Sequence, residues 1–290
     1  MSTLRFAVET ISPMFLRGAD GETPELRPPS FKGLLRYWWR AAKVLPVNEL
    51  HEQEGRIFGS AAGDEGRRST VTIRLEKRGS LSYSNHQPVP HRGFRLSAFD
   101  PGQQFSIVLH RLPHCPISLD ELKHTMIVAL ALGGVGFRSR RGFGAMRIRR
   151  INGTRYDTHA GLEDSVLPSL KVLNPNFVYV YKDYAIHYTG SEKPPYPWIK
   201  RAERTDDVFY GDDVQTLLRE ISQATHDYNS QYTGAPDPRF ASPEYVTTHG
   251  DSTDVWGIVT SLHLPQSTRN KLRHGDSRHE FRSAVIDEQI

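Results

Sequence analysis

Apolar and polar side chains alternate from the first residues of the chain. LRFAVETI, residues 4–11, reads as a strand, and the Pro and Gly that follow end it. A longer period then takes over. In RPPSFKGLLRYWWRAAKVLP, residues 27–46, Phe31, Leu34, Leu35, Trp38, Ala42 and Leu45 fall on one side at roughly 100° per residue, which predicts a core-facing helix. Two prolines and Ser30 start it and Pro46 stops it. Lys32, Arg36, Trp39 and Lys43 fall on the opposite side with Arg40 beside them. That face is expected to be outward, basic and aromatic. Beyond a polar connection, STVTIRLEK (69–77) and QQFSIVLHRL (103–112) return to the period of strands, with a loop rich in His, Pro and Gly between them. A capping box, Ser118 and Glu121, opens a second helix whose apolar side is Leu119, Leu122, Met126, Ile127 and Leu130. Gly133 and Gly134 end that helix, and AMRIRRING supplies one more strand.

The order strand, helix, strands, helix, strand is that of a ferredoxin-like unit, complete near residue 155. A chain of 290 residues has room for a second one. Residues 156–290 offer the strand FVYVYKDYAIHY, the helix DDVQTLLREISQATHDY and the strand VWGIVTSLHL, joined by Pro- and Gly-rich connections. The expected class is α+β: tandem ferredoxin-like domains, 1–155 and a smaller 156–290, with antiparallel sheets and helices packed on one face of each.

Net charge changes the picture less than its distribution does. The total is only +4, yet five Lys or Arg and no acid stand between Glu25 and Glu49, and eight and no acid between Glu121 and Asp157. Two basic stretches far apart in sequence can meet on one face. No run approaches the apolar length of a membrane helix, no secretory leader is visible, and the single Cys115 cannot form an internal disulfide. A reducing cytoplasm is the expected setting.

GGVGFRSRRGFGAMRIRR, residues 133–150, is the densest candidate chemistry. It is no dinucleotide fingerprint, because Ser139 stands where the third glycine is required, and it lacks the Gly-Lys-Ser or Gly-Lys-Thr of a phosphate loop. What remains is a Gly-rich connection presenting Arg138, Arg140 and Arg141, whose planar guanidiniums suit a sugar-phosphate backbone. His110, His114 and Cys115 read as ordinary loop residues rather than a zinc site. Asp206, Asp207, Asp212 and Asp213 read as helix-capping carboxylates more readily than as cation ligands. No cofactor or metal is expected. Thirteen histidines leave room for a general base, and His91 beside Arg92 is the first to test.

The residues also carry a family resemblance. PMFLRGADGETPELRPPSFKGLLRYWWRAA, EGRIFGS at 54–60, the loop GGVGFRSRRGFG and PRFASPEYV at 238–246 together resemble the first-subunit family of Cmr complexes, RAMP-superfamily proteins of type III-B CRISPR effectors. The resemblance implies tandem ferredoxin-like domains similar to RNA-recognition modules. It also implies a non-catalytic subunit that caps the effector at the 3′ side of the guide RNA and helps capture target RNA beside other Cmr subunits. Carried onto this chain, it implies RNA contacts from Arg17 in the first loop, from Lys32, Arg36, Trp39, Arg40 and Lys43 on the first helix, and from Arg138, Arg140, Arg141 and Phe143 in the Gly-rich loop. Trp39 or Phe143 is expected to stack on a base or pack on a neighbouring subunit. The alternative is a metal-independent endoribonuclease that processes guide precursors.

Overall fold

The computed structural model describes residues 2–61, 66–77, 79–89, 93–156, 161–205, 213–228, 230, 233–236, 239–250, 255–265 and 275–286. The first half runs β1 (Ser2–Thr10), α1 (Pro28–Lys43), α2 (Val47–Phe58), β2 (Val71–Lys77), β3 (Tyr83–His86), β4 (Leu96–Phe99), β5 (Gln104–Arg111), α3 (Leu119–Leu132), β6 (Met146–Ile151) and β7 (Thr154–Arg155). Five of its strands form an antiparallel sheet in the order β2-β5-β1-β6-β7, and β3 pairs with β4 as a separate ribbon. With β1, β2, β5 and β6 as the four framework strands, this is the ferredoxin-like order predicted for the first domain. The alternation in β1 sets which face is inside: Leu4, Phe6 and Val8 are buried, and Phe6 lies opposite Ile107 of β5.

In the second half a π-helical turn, Leu162–Val166, leads into α4 (Leu167–Leu173). There follow β8 (Phe177–Val180), β9 (Ala185–Tyr188), β10 (Ile199–Arg204), α5 (Val214–Asp227), β11 (Ala235–Pro236), β12 (Arg239–Phe240), β13 (Glu244–Gly250), β14 (Val255–Leu262) and α6 (Arg278–Ile286). The second sheet has the order β13-β14-β10-β9-β8, antiparallel throughout, while β11 pairs with β12. The sequence β10-α5-β13-β14-α6 repeats the ferredoxin-like framework, and β9 pairs with β10 where a closing strand would otherwise stand. FVYVYKDYAIHY, expected as one strand, is therefore a hairpin that turns between Val180 and Ala185.

Helices lie on one face of the first sheet, as the sequence suggested, but cover both faces of the second. Phe31, Leu35 and Trp39 of α1 and Leu122, Met126 and Leu130 of α3 pack on the first sheet. The same two helices turn Trp38, Ala41, Ala42, Val128, Ala129 and Leu132 towards Tyr245, Trp256, Ile258 and Leu262 of the second sheet, with α4 beside them. The far side of the second sheet is covered by Leu217 and Ile221 of α5 and Phe281 and Val285 of α6. Layers thus succeed one another as sheet, helices, sheet, helices. The physical reason is legible in α3, whose last two turns are apolar all round, as a helix caught between two cores must be.

This sandwiching corrects the expected position of Trp39. Adjacent residues on a helix lie about 100° apart, and Trp38 and Trp39 enter two different cores. Both are fully buried. Trp39 meets the Phe58 ring edge-on at 5.9 Å, and its indole Nε1 donates to Glu121 Oε1 at 3.2 Å. The helix also starts earlier than expected, with Pro28 and Pro29 in its first turn and Arg27 as N-cap, where missing N–H groups are harmless. Residues 47–58, read as a polar connection, are helical because Leu50, Ile57 and Phe58 share a face. Glu54 occupies that face too and masks the pattern.

Candidate nucleic-acid interface

Three segments meet at one end of the molecule. Residues 12–26 connect β1 to α1; Met14 bridges Phe99 of the β3–β4 ribbon, and Phe15 bridges Phe137 of the Gly-rich loop. Phe15, Ala98, Phe143 and Leu218 form a small apolar cluster beneath them, with one member from each segment and one from α5. Arg138 Nε donates to the Pro88 carbonyl oxygen at 3.2 Å, which ties the loop to the ribbon. Two glycines make this approach feasible. Gly136 has φ +96° and lies so close to Phe15 that a Cβ would overlap its carbonyl oxygen; at Gly142, φ +82°, a Cβ would stand 2.8 Å from Leu218 Cδ2.

The Gly-rich loop also crosses to the second sheet. Arg141 forms a parallel bridge to Val246 of edge strand β13. Gly142 N donates to Val246 O at 2.8 Å, and Val246 N donates to Arg140 O at 3.1 Å. The Gly142 carbonyl accepts from Ser12 Oγ at 2.6 Å and from Thr248 Oγ1 at 3.0 Å, one hydroxyl from each domain. The loop is a joint in the seam between the sheets, not a tail.

This placement sorts the predicted residues. Arg138 and Arg140 are half-buried, and Arg138 holds a left-handed backbone, φ +62°, that is uncommon outside glycine. The Arg140 guanidinium lies over the Tyr245 ring at 4.5 Å and the Tyr37 ring at 5.9 Å, and donates to the Ser242 carbonyl oxygen. Arg141 and Phe143 are inside, at 5% and 3% exposure, so the expectation that both face a ligand is corrected. Phe143 packs against Phe15 at 5.3 Å. Burial, and then the charge of Arg138, pull the Arg141 pKa down to about 9. The loop's exposed ring is Phe137, at 53%, which the sequence reading passed over in favour of Phe143. Its signal was positional: Phe137 follows a glycine and stands between two residues with positive φ, Gly136 and Arg138, where the loop leaves its bridge to Phe15 and enters the turn 138–141. Phe94 beside the ribbon is exposed as well.

The basic row on α1 is more fully answered. Arg36 pairs with Glu54 Oε1 and Arg40 Nε lies 2.9 Å from Glu54 Oε2, so the buried carboxylate of α2 sits between two guanidiniums. Burial alone would raise the Glu54 carboxyl, but the hydrogen bonds from Arg40 and Arg36 prevail and hold it below the ordinary glutamate range. Lys43 pairs with Glu121 at 3.3 Å. The capping box at α3 is half made: Ser118 Oγ accepts from Glu121 N at 2.9 Å, while the Glu121 carboxylate reaches α1 instead. Lys32 has no ion-pair partner among the described residues; partial burial and then Arg36 lower its pKa. Arg17 donates to the Gly21 carbonyl oxygen at 2.8 Å on the exposed first loop.

Among the described residues, the open face of the first sheet lacks the stacking rings of RNA-recognition modules. Its central positions are Ala7, Ser106 and Val108, and the ion pairs Arg5–Glu76 and Arg147–Glu9 lie across it. Among the described residues, His124 and His86 each meet both a hydroxyl and a carboxylate. His124 reaches Ser169 Oγ at 2.9 Å and Asp120 Oδ1 at 3.5 Å through different ring nitrogens, but that Ser169 is buried at 2% exposure. His86 Nε2 lies 2.8 Å from Asp100 Oδ1 and 3.0 Å from Ser84 Oγ. Carboxylate and hydroxyl meet the same ring nitrogen, whereas a relay uses both nitrogens of the imidazole. His91, Asp206, Asp207 and Asp212 lie outside the described residues, and Asp213 caps α5 by accepting from Thr216 N at 2.7 Å. Among the described residues no three His, Cys, Asp or Glu cluster as metal ligands, and no helix is long and apolar enough to cross a membrane.

Comparisons with known proteins concern the family and the fold. Residues 7–147 match the model of the RAMP superfamily. Two curated relatives come from Pyrococcus furiosus. The CRISPR system Cmr subunit Cmr1-2 is 28% identical over 183 residues, covering 50% of this chain and 95% of the relative. Subunit Cmr1-1 is 33% identical over 163 residues, covering 51% of this chain and 48% of the relative, so the match spans about half of that protein. In fold, the chain is similar to the crystal structure of apo Cmr1 from Pyrococcus furiosus, with TM-score 0.67, 21% identity and coverage of 99% and 97%. It is also similar to a chain of the type III-B Cmr-beta complex bound to cognate target RNA, with TM-score 0.58, 10% identity and coverage of 98% and 99%.

Proposed function

We propose that this protein is an RNA-binding subunit of a type III-B CRISPR effector of the Cmr type, that it caps the assembly at the 3′ side of the guide RNA, and that it helps capture target RNA without cutting it. One observation carries the reading: the first loop, the β3–β4 ribbon and the Gly-rich loop converge on the seam between the domains, with cations and two exposed rings at their tips. Arg17, Arg138 and Arg140 supply phosphate contacts, Lys32 adds a fourth from α1, and Phe137 and Phe94 offer faces on which unpaired bases stack. The relatives named as Cmr subunits and the RNA-bound Cmr-beta complex support the assignment of partners: guide and target RNA, and other effector subunits.

The test is RNA affinity across a salt series for the double variant Arg138→Ala, Arg140→Ala. Loss of two phosphate contacts lowers the log-log salt slope by about 1.4 for single-stranded RNA. An unaltered slope and affinity would remove the loop from the RNA path. Incubation of the protein with repeat RNA, with and without chelator, addresses the catalytic alternative: the RNA is expected to stay intact, and specific cleavage lost with a His86→Ala or His91→Ala change would overturn the non-catalytic reading.

A further inference from the structure

Arg141 sits among the loop arginines in sequence but does different work in space. Its Nη1 donates to Glu244 O at 2.8 Å and to Arg140 O at 2.9 Å, and its Nη2 donates to Thr233 O at 2.6 Å. Its Cζ lies 4.8 Å from the centroid of the Phe281 ring of α6. Three carbonyls from three segments and one ring surround a single guanidinium. Two of those carbonyls and the ring belong to the second domain. Burying a cation among neutral acceptors is expensive, and the planar fork is the side chain that can satisfy several fixed acceptors at once. A cation reserved for a polyanion would remain accessible.

We infer that Arg141 is a positioning residue: it fastens the Gly-rich loop to β13 and α6, so that the direction of Arg138 and Arg140 is set by the second domain and not by the sheet from which the loop emerges. The inference rests on the RNA-binding reading above and adds the dependence of that site on a remote part of the chain. Residues 140–142 lie along the edge of β13 through the two backbone hydrogen bonds with Val246, too short a pairing to hold register alone. The guanidinium supplies the missing restraint. On its other side the loop is fixed by Gly142 against Leu218 and by the Ser12 and Thr248 hydroxyls. RNA grip and domain packing are then one cooperative unit.

Conservative substitution separates positioning from contact. Lysine keeps the charge but offers a point donor, so Arg141→Lys would preserve a phosphate contact yet fail to join three carbonyls. The experiment measures binding of an unstructured RNA of about 16 nucleotides, long enough to fill one single-strand site, together with amide exchange at Gly142 and Val246. For Arg141→Lys the expected result is affinity lower by about tenfold, the loss of roughly one charge-assisted hydrogen bond, with faster exchange at both amides. Phe281→Leu, which leaves the loop's own residues intact, is expected to weaken binding in the same direction and by less. Arg141→Lys binding as tightly as wild type, with protected amides, overturns the inference. If that variant does not fold, Phe281→Leu decides, and wild-type binding by it overturns the inference equally. Failure of the RNA-binding reading looks different: the Arg138→Ala, Arg140→Ala variant would then bind as wild type.

Discussion

The cations of α1 and those of the Gly-rich loop are equally dense in sequence and differ in what answers them. On α1, Arg36 and Arg40 share the Glu54 carboxylate and Lys43 has Glu121, so opposite charge lies against the row. In the loop, Arg140 and Arg141 donate to backbone carbonyls and lie over aromatic rings. At Arg140, carbonyl and rings satisfy the donors without cancelling the charge, whereas Arg141 also feels the Glu244 carboxylate. Two runs of arginine are thus answered differently: two carboxylates offset part of the charge of the helix row, while Arg140 of the loop meets a carbonyl and two rings. A count of basic residues does not distinguish them, because the neutralising acids come from α2 and α3.

The sharpest way to break this comparison is through Trp39. As a surface ring it would tolerate truncation; as a core side chain meeting Phe58 and Glu121 it should not. Trp39→Ala is expected to lower stability by about 3–5 kcal/mol, read from the denaturant midpoint. A loss within about 0.5 kcal/mol, typical of surface positions, would return Trp39 to the outer face.

Two buried glutamates give a pH signature of opposite sign. Glu54 is held below its ordinary value, so its contribution is complete above about pH 4.5 and is lost as pH falls through the lower folded value. Glu244 is pushed up to about 7 by burial, against hydrogen bonding from Ser261 and nearby arginines, so stability declines as pH rises from 4.5 through 7. Thermal unfolding of Glu54→Gln should lose the acid-side dependence and Glu244→Gln the neutral-side one. Because Arg36 and Arg40 side chains are 42% and 36% exposed, water takes over part of what Glu54 supplied, and that variant is expected to lose about 1–2 kcal/mol rather than the 3–5 of a fully enclosed pair. Superimposable pH profiles for either variant and wild type would contradict the assignment for that residue.

Smaller effects concern RNA alone. Phe137→Ala removes an exposed ring and should weaken RNA binding by about 1–3 kcal/mol without a change in melting temperature. Equal affinity would leave the loop with electrostatics only. Lys32→Ala should lower the salt slope by about 0.7 at most, because it removes a single phosphate contact. A larger drop would mean that the helix row carries more of the RNA than its ion pairs allow.

Much of the first domain was legible because its strands alternate cleanly and its helices have strong stop signals. Leu4, Phe6 and Val8 face inward as their spacing requires, and Gly133 ends α3. What failed did so for tertiary reasons. Periodicity assigns a helix one apolar side, whereas α1 serves two cores and receives α2 on a third, so Trp39 was read as outward. α2 itself was hidden by Glu54, a charge that is buried because two arginines await it. At the site, the sequence located the loop correctly as a glycine-dependent, arginine-bearing connection. It could not rank Arg138, Arg140 and Arg141, since what separates them is the position of β13 and α6, about 100 residues or more further along the chain.

Ultraviolet crosslinking of bound single-stranded RNA, followed by mass spectrometry of the attached peptides, tests the central claim most directly. The expected crosslinks fall on Phe137 and Phe94 and on the peptides of the first loop and the Gly-rich loop. Crosslinks confined to α1 and α2, or to the open face of the first sheet around Arg74 and Arg150, would contradict it.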